Sequence, residues 1–486
     1  MATIIGSSLT FVDATVVNVA LPALQAELHA TITDIQWVIE AYALFLGSLI
    51  LVGGSLGDQF GRKRVFLVGV WLFVTASVWC GLAQTIRGLI VARAVQGVGA
   101  AFLVPGSLAI ISATFDEAER GRAIGTWSGF AAITSAIGPI AGGWLIEHVS
   151  WRAVFFLNVP LAAIVIVLSH RFMAESRDTS RSSSVDWPGA ALAVVSLGAV
   201  VFGLLEWPRE GSNRPLALVT MVCGALLFAA FIAVERRASA PMLPLGLFVS
   251  RTFTLANLLT LLMYGALGTV LWLLPLTLIQ AQRYSATAAG ASLLPFPLLM
   301  FLLSRWSGGL VHRVGSRLPL TVGPMVAAAG LALFGRTGIG SGYWTTVFPA
   351  VTVLGLGMAI LVAPLTTTAM TAVEAQHAGV ASGVNNAVAR VAGLIAIAVF
   401  GVVLVRHFDS RVNAALDQLD LSTDARAAID QELPKLAGAE VPTVVEAARR
   451  IEVRRAIDES FVSPFRVVMV TAAGVALMAA VAGFLI

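Results

Sequence analysis

Apolar stretches of about 20 residues recur along the whole chain, and short segments that carry most of the charged residues separate them. An α-helix of this length crosses about 30 Å of hydrocarbon. Because lipid offers the backbone no hydrogen-bond partners, such segments must be helical. Residues 195–205 and 464–486 are apolar all round, whereas helices of a soluble bundle keep a polar face. The pattern therefore predicts an all-α membrane protein rather than a soluble helical bundle.

Fourteen transmembrane helices are predicted, and an even number of crossings places both chain termini on the same side. The spans are approximately 2–27, 34–56, 64–84, 88–113, 122–147, 152–171, 188–207, 215–235, 252–280, 287–310, 318–336, 344–369, 378–405 and 464–486.

Basic residues are distributed unequally between the two sets of loops. One set holds thirteen Lys and Arg residues, and the short loops of the other set hold six. Basic residues favour the cytoplasmic side, so we expect a multi-pass protein of the inner cell membrane with both termini cytoplasmic. The long loop 406–463 then faces outward. It is either a lid over the transport pathway or a solvated excursion without a role in transport.

Composition supports a membrane protein and limits the kinds of partner. Only 12% of the 486 residues are charged and 58% are hydrophobic, whereas soluble domains carry about 25% charged residues. The net charge of +4 is scattered over loops, which speaks against a nucleic-acid partner. Cys80 and Cys223 both lie in apolar spans and indicate no disulfide. We find no catalytic signature, so neither an enzyme nor a bound metal or cofactor is expected.

A weak internal repeat divides the chain. The ten residues from Gly54 to Lys63 share a skeleton of Gly, Leu, Gly and a final base with residues 308–317, although His312 replaces the acid of the first copy. The two copies lie eight spans apart, so two helices are inserted between two six-helix halves. The predicted domains are an N-terminal bundle (1–175), two inserted helices with their linkers (176–245) and a C-terminal bundle (246–486).

Six motifs in order resemble those of one transporter family. They are the first-helix run from Leu9 to Pro22, the loop motif from Gly54 to Arg64, the run from Arg93 to Gly99, the fifth-helix run from Gly125 to Gly143 around Gly138-Pro139, the run from Trp151 to Pro160, and Asp186-Trp187-Pro188-Gly189. The chain resembles the major facilitator superfamily, specifically its fourteen-helix drug:proton antiporter branch, nearly end to end.

This resemblance implies two six-helix bundles that alternate access to a midplane site. The expected function is proton-coupled export of small amphipathic or cationic compounds, as in multidrug efflux and antibiotic resistance. A proton-coupled exporter of lipids or endogenous metabolites is the alternative, and alternating access disfavours a channel. The expected partners are protons, small-molecule substrates and the lipid bilayer, with the protein acting as a monomer.

Acidic and basic residues inside the spans are candidates for proton coupling. Asp13 lies near the middle of the first span, where a carboxylate is costly and is a functional candidate by default. Arg93, in the fourth span, stays charged and is the expected partner of Asp13, unless it snorkels to the interface. Glu40 is a second intramembrane acid, and is either a proton site, a countercharge for cationic substrates or a hydrated structural acid.

Two motifs are candidates for conformational gating. Asp58, Gly61 and Arg62 lie in a tight glycine-rich turn, where Asp58 is expected to cap a helix and to hold a cytoplasmic charge cluster. Gly138 and Pro139 are expected to give a closely packed, bent fifth helix, although packing alone would also explain them.

Polar and aromatic residues within the spans form a candidate substrate cavity. This set comprises Asn18, Tyr42, Trp127, Asn257, Tyr264, Asn385, Asn386 and Arg390. Asn385 and Asn386 are expected to offer hydrogen bonds, and Arg390 to repel or position charge.

Overall fold

The computed structural model describes residues 2–114, 117–177, 186–208, 213–238, 241–374 and 378–486. Within these ranges the regular structure is helical throughout, which confirms the all-α membrane fold. Some predictions lie outside the described residues, because they rest on side chains or positions that are not described. These are the predictions on Arg120, Arg122, Gly125, Gly129, Arg181 and His312.

The first seven helices form the N-terminal bundle. They are α1 (Ala2–Glu27), α2 (Ile32–Phe60), α3 (Arg62–Leu82), α4 (Ile86–Thr114), α5 (Glu117–His148), α6 (Ala153–Phe156) and α7 (Asn158–Phe172). Thr31 begins α2 with a capping box, because its hydroxyl accepts from the backbone N–H of Asp34 at 3.2 Å and its own N–H donates to that carboxylate at 2.9 Å.

The remaining helices form the inserted pair and the C-terminal bundle. They are α8 (Trp187–Glu206), α9 (Arg214–Glu235), α10 (Arg251–Leu276), α11 (Ala286–Ser292), α12 (Pro295–Gly308), α13 (Leu310–Val314), α14 (Arg317–Leu333), α15 (Phe348–Thr371), α16 (Ala378–Leu416), α17 (Thr423–Glu432) and α18 (Ala447–Phe484). Helical turns of other kinds cover Leu245–Val249, Thr277–Ala281, Phe334–Arg336, Tyr343–Val347 and Leu433–Gly438.

Thirteen helices among the described residues are long and apolar enough to cross a membrane. The fifth predicted span, 122–147, lies within the helix α5 and is not among these thirteen. Two spans are interrupted: Leu157 separates α6 from α7, and Leu293 and Leu294 separate α11 from α12. Each break lies close to a proline (Pro160 and Pro295), which cannot donate a backbone hydrogen bond.

The inserted helices pack mainly on each other. Gly224 of α9 approaches α8 so closely that a Cβ there would lie 2.9 Å from the carbonyl of Ser196. Helix α8 also contacts α2 and α16, one helix from each bundle. Most of the outward side of α9, including Leu226 and Phe228, is exposed, as expected for a surface that faces lipid. The predicted domain limits at 175 and 245 stay a prediction.

The long loop 406–463 is largely helical, and the helices on either side extend into it. Helix α16 continues to Leu416, and α18 already begins at Ala447, so the last predicted span is the second part of a longer helix. We call residues 417–446 the cap. Its side chains Ile429, Leu436 and Val445 are buried in the same core as the membrane helices.

Two faces of the molecule are distinguished below. The cap face carries the cap and the connection between α1 and α2, and the terminal face carries the connection between α2 and α3. On the cap face, Gln25 at the end of α1 donates to the carbonyl of Lys435 at 3.1 Å and accepts from Gln280 at 2.6 Å. The cap therefore contacts both bundles.

Candidate functional site

A buried ion pair joins the first and fourth helices. Arg93 Nη1 of α4 donates to Asp13 Oδ2 of α1 at 2.6 Å, and the two residues are only 1% and 2% exposed. Two charges removed from water are tolerated only when they are paired and hydrogen-bonded, so each depends on the other. The pairing predicted from sequence is what the structure shows, and snorkelling of Arg93 is not.

Neutral side chains complete the shell around the carboxylate. Gln96 Nε2 donates to Asp13 Oδ1 at 2.8 Å, and Gln96 Oε1 accepts from Arg93 Nη1 at 2.6 Å. Asn158, the first residue of α7, donates to the same Asp13 oxygen at 3.3 Å. Ser77 of α3 accepts from Asn158 at 2.9 Å. Asp13 is thus held by donors from two helices other than its own.

The guanidinium of Arg93 is fixed on two further sides. Its Nε donates to the carbonyl of Val38 at 3.1 Å, and its central carbon lies 4.3 Å from the ring centroid of Tyr42. A guanidinium stacks favourably on an aromatic face. Tyr42 was predicted to line the substrate cavity, but its ring lies under Arg93 and its buried hydroxyl has no hydrogen-bond partner among the described residues. The pair Asp13–Arg93 is therefore linked to α2 as well.

Glu40 is completely buried, and neither of its carboxylate oxygens has a hydrogen-bond partner in the described part of the chain. It lies on the face of α2 that meets α16. One turn before it, Gln36 donates to the carbonyl of Ile397 at 3.3 Å. Two turns after it, a Cβ at Gly47 would lie 3.3 Å from Cβ of Arg390. Glu40 therefore lies on the seam between the bundles, deeper than a hydrated interfacial acid would be.

The glycine-rich turn on the terminal face is built differently from the expectation. Asp58 pairs with Arg62 at 2.8 Å, but it does not cap α3, whose first position is Gly61 without a side-chain cap. Gly61 has φ +110°, a conformation that favours glycine. Glu175, which follows α7, accepts from the backbone N–H of Lys63 at 3.0 Å. The charge cluster therefore ties the α2–α3 turn to the end of α7.

The glycines of α5 serve two neighbours. Gly142 packs against Val16 of α1, where a Cβ would lie 2.9 Å from a methyl carbon of Val16. On the opposite side, a Cβ at Gly143 would lie 2.6 Å from the carbonyl oxygen of Ala286, at the start of α11. Gly138 also meets α1, and Pro139 meets Gly290 of α11. The half of α5 near the cap face therefore packs between α1 of its own bundle and α11 of the other bundle.

The residues predicted for the cavity fall into two groups. Asn385 and Asn257 are buried and bonded to each other at 3.2 Å, and Asn385 also donates to Thr260, so neither of its amide hydrogens is spare. The second group consists of residues that are at least partly exposed. Asn386 is exposed, and the half-buried members are Asn18, Trp127, Tyr264 and Arg390. Trp127 donates to Ser7 at 2.9 Å, which anchors it on α1.

Several residues were missed by the reasoning from sequence. Asn158 was considered only as part of a motif, although a polar residue two positions before a proline, near the start of a span, was a usable signal. Ser77, Glu175, Gln25 and Gln280 carried no distinctive pattern, since each acts through a partner far along the chain. Among the described residues, no group of three or more His, Cys, Asp or Glu side chains is placed to hold a metal ion.

Paired helical bundles that bury an acid–base pair at mid-membrane define a transport protein of the membrane. The chain belongs to the Major Facilitator Superfamily, whose family model matches residues 3–397. It is 34% identical over 495 aligned residues to the multidrug resistance protein Stp of Mycobacterium tuberculosis, covering 100% of this chain and 90% of that protein. These findings confirm the resemblance that the six motifs indicated.

Two further comparisons agree. The chain is 32% identical to the tetracenomycin C resistance and export protein of Streptomyces glaucescens, over 92% of this chain and 81% of that protein. Among solved structures, it is similar to a bacterial homologue of the human lysosomal transporter Spinster in an inward-facing and unoccupied conformation. The TM-score is 0.65 at 17% identity, with 100% and 96% of the two chains covered, which shows the shared fold.

Proposed function

We propose that the protein exports small amphipathic compounds in exchange for protons, by alternating access. Its relatives named for multidrug resistance and for antibiotic export support the direction and class of transport. The observation that carries proton coupling is the Asp13–Arg93 pair. A carboxylate that is buried, paired and reached by neutral donors has two well-defined states, one charged and one protonated.

Asp13 is the proposed proton carrier. In the charged form it satisfies Arg93, Gln96 and Asn158 together. A proton on Asp13 removes the negative charge and leaves the guanidinium of Arg93 without its ion-pair partner in a low-dielectric interior, which costs several kcal/mol unless the helices rearrange. That rearrangement couples protonation to the movement of the bundles. Protons load from the outside and leave to the cytoplasm, which drives the return of the empty carrier.

Glu40 is proposed as a second proton site. An ionised carboxylate in its position would be buried without a single hydrogen bond from the described residues, which is far more costly than burying the neutral acid. Because Glu40 lies on the α2–α16 seam, separation of the bundles would expose it to water and allow it to ionise. Its protonation would then favour the closed seam.

The gates are proposed on both faces. On the cap face, α5 packs on α11, Glu147 accepts from the backbone N–H of Thr287 at 2.7 Å, and Gln25 joins Gln280 and the cap. These contacts would have to separate in the outward-facing state. On the terminal face, the pair Asp58–Arg62 holds the α2–α3 turn within its own bundle. It is proposed to regulate opening toward the cytoplasm, with both termini cytoplasmic and the protein acting as a monomer.

The test is transport by purified protein in liposomes. A lipophilic fluorescent amphiphile is offered to vesicles with an imposed pH gradient, and its accumulation is followed with and without an ionophore that dissipates the gradient. Accumulation against the concentration gradient that stops on addition of the ionophore is expected. The proposal would be overturned if the amphiphile accumulated equally with and without the pH gradient. It would also be overturned if unlabelled substrate on the opposite side of the membrane failed to drive counterflow of the amphiphile.

A further inference from the structure

Arg390 of α16 lies between the two bundles rather than against lipid. Its Cβ is 3.3 Å from the point where a Cβ on Gly47 of α2 would lie. On the other side of α16, a Cβ on Gly268 of α10 would lie 3.1 Å from Cα of Gly393, and Tyr264 lies one turn before Gly268. Arginine stays charged in proteins, so a permanent positive charge stands near the middle of the membrane.

This charge has no partner among the residues that the structure describes. In the described part of the chain, Arg390 forms no ion pair and donates none of its five N–H groups to an acceptor. Asp13 is already bound to Arg93. Glu40 is completely buried, and neither of its carboxylate oxygens has a hydrogen-bond partner among the described residues. The centre of the molecule therefore carries one uncompensated positive charge, which is costly in a membrane interior.

Open space lies beside this charge. Asn386 and Gly393 occupy the same face of α16, one turn before and one turn after Arg390. Asn386 is exposed, and a Cβ placed on Gly393 would meet no atom within 4 Å. This face of α16 lies between the side that packs on α2, at Gly47, and the side that packs on α10, where Gly265 meets Ala392. The open space is thus inside the protein.

We propose that Arg390, with the hydroxyl group of Tyr264 and the amide of Asn386, binds the acidic group of an amphipathic substrate, a carboxylate or a phenolate. This inference rests on the proposed export function and sharpens it. A guanidinium matches a carboxylate with two parallel hydrogen bonds, and hydroxyl and amide groups add further donors. Cationic substrates, by contrast, need an accessible carboxylate, and both Asp13 and Glu40 are buried in this conformation.

The test compares two forms of one fluorescent amphiphile, the free carboxylic acid and its primary amide, which have nearly the same size. Binding to the purified full-length protein is measured by fluorescence anisotropy, and export is measured in liposomes. Wild type is expected to bind the acid about 10-fold to 100-fold more tightly than the amide, as for a hydrogen-bonded charge. Arg390→Gln is expected to abolish that preference while leaving the affinity for the amide within about 2-fold.

Two further variants keep the outcome interpretable. Arg390→Lys retains the positive charge but not the two parallel N–H donors of the guanidinium, and it should keep an intermediate preference for the acid over the amide. Arg411→Gln, on the same helix but exposed beyond the membrane span, should change nothing. The inference is overturned if wild type binds both forms equally, or if Arg390→Gln weakens both forms alike. If both forms are exported equally well, this inference fails but the proposed export function stands. If neither form is exported, the proposed function fails as well.

Discussion

Asn158, at the start of α7, donates a hydrogen bond to Asp13 through its side-chain amide. The oxygen of that amide, Oδ1, has no hydrogen-bond partner among the described residues. The Nδ2 atom lies 3.3 Å from Asp13 Oδ1 and 2.9 Å from Ser77 Oγ, and Oδ1 is buried. The amide thus offers a donor to the charged carboxylate and a nearby acceptor to the protonated one. Of the side chains around Asp13, Asn158 is the one suited to both states.

Replacing Asn158 should therefore alter the pH dependence of transport. Asn158→Leu removes a donor that stabilises the charged carboxylate of Asp13. The pH profile of export in liposomes should move toward higher pH, while binding of a neutral substrate stays within about 2-fold. Ser77→Ala, which only loosens Asn158, should shift the profile less and in the same direction. An unchanged profile for Asn158→Leu would remove it from the coupling network.

Glu40→Gln should preserve the closed structure. Glutamine has the shape of a protonated glutamate. The free energy of unfolding should therefore change by no more than it does in the exposed control Glu446→Gln, within about 0.5 kcal/mol. The pH dependence of bundle opening should, however, become shallower, because one titrating group has been removed. Spin labels on α2 and α16 would report that opening. A large loss of stability would instead mean that Glu40 is ionised and has a partner.

Gly290→Ala should favour opening of the cap face. A Cβ at Gly290 would overlap the carbonyl oxygen of Pro139, so α5 and α11 would have to separate, at a cost of about 1–3 kcal/mol to the closed state. Accessibility of an introduced cysteine on the cap-face half of α11 to a membrane-impermeant reagent should rise. Gly474→Ala is the matched control, because a Cβ there meets no atom within 4 Å. Equal accessibility in both variants would contradict the packing argument.

The cap should loosen in acid. Burial acts to raise the pKa of Glu432, but hydrogen bonds from Lys435 and from the backbone N–H of Glu440, together with the charge of Lys435, outweigh it and hold the pKa below its ordinary range. The stabilisation is therefore present above the ordinary glutamate pKa of about 4.3 and is lost as pH falls through the lower, folded value.

Hydrogen exchange would measure this loss. Backbone amides of α17 and the 433–438 turn should exchange faster as pH drops below about 4, after correction for the intrinsic pH dependence of exchange. In Glu432→Gln, which has no charge to lose, the corrected protection should be lower throughout and nearly flat over the same interval. A wild-type cap that keeps its protection below pH 3, or a variant with the same pH dependence as wild type, would contradict the assignment.

Reasoning from sequence succeeded where the physics is local. Span length and apolarity are properties of single segments, so the all-α fold and thirteen of the predicted spans followed directly. The ion pair Asp13–Arg93 also followed, because an acid and a base that are both buried in apolar spans each need a partner of opposite charge. The limits of α16 and α18 did not follow, since an exposed extension of a helix has the composition of a loop.

Contacts between distant segments were beyond the reach of the sequence. The expected cap by Asp58 was wrong because Arg62, one turn further on, takes the carboxylate. Asn385 was expected to face substrate, yet its amide hydrogens are used by α10, at positions more than a hundred residues away. Which face of a span meets another helix depends on the packing of both, and one segment does not encode it.

Proton release on substrate binding tests the central role of Asp13 most directly. Purified protein in weakly buffered detergent solution is mixed with a neutral amphiphile, and the change in pH is followed with an indicator dye in the pH range where export is steepest. Wild type should release protons, and Asp13→Asn, which keeps the hydrogen-bonding shape of the protonated acid, should bind the amphiphile and release at least one proton fewer per molecule. Release from Asp13→Asn equal to that of wild type would contradict the account.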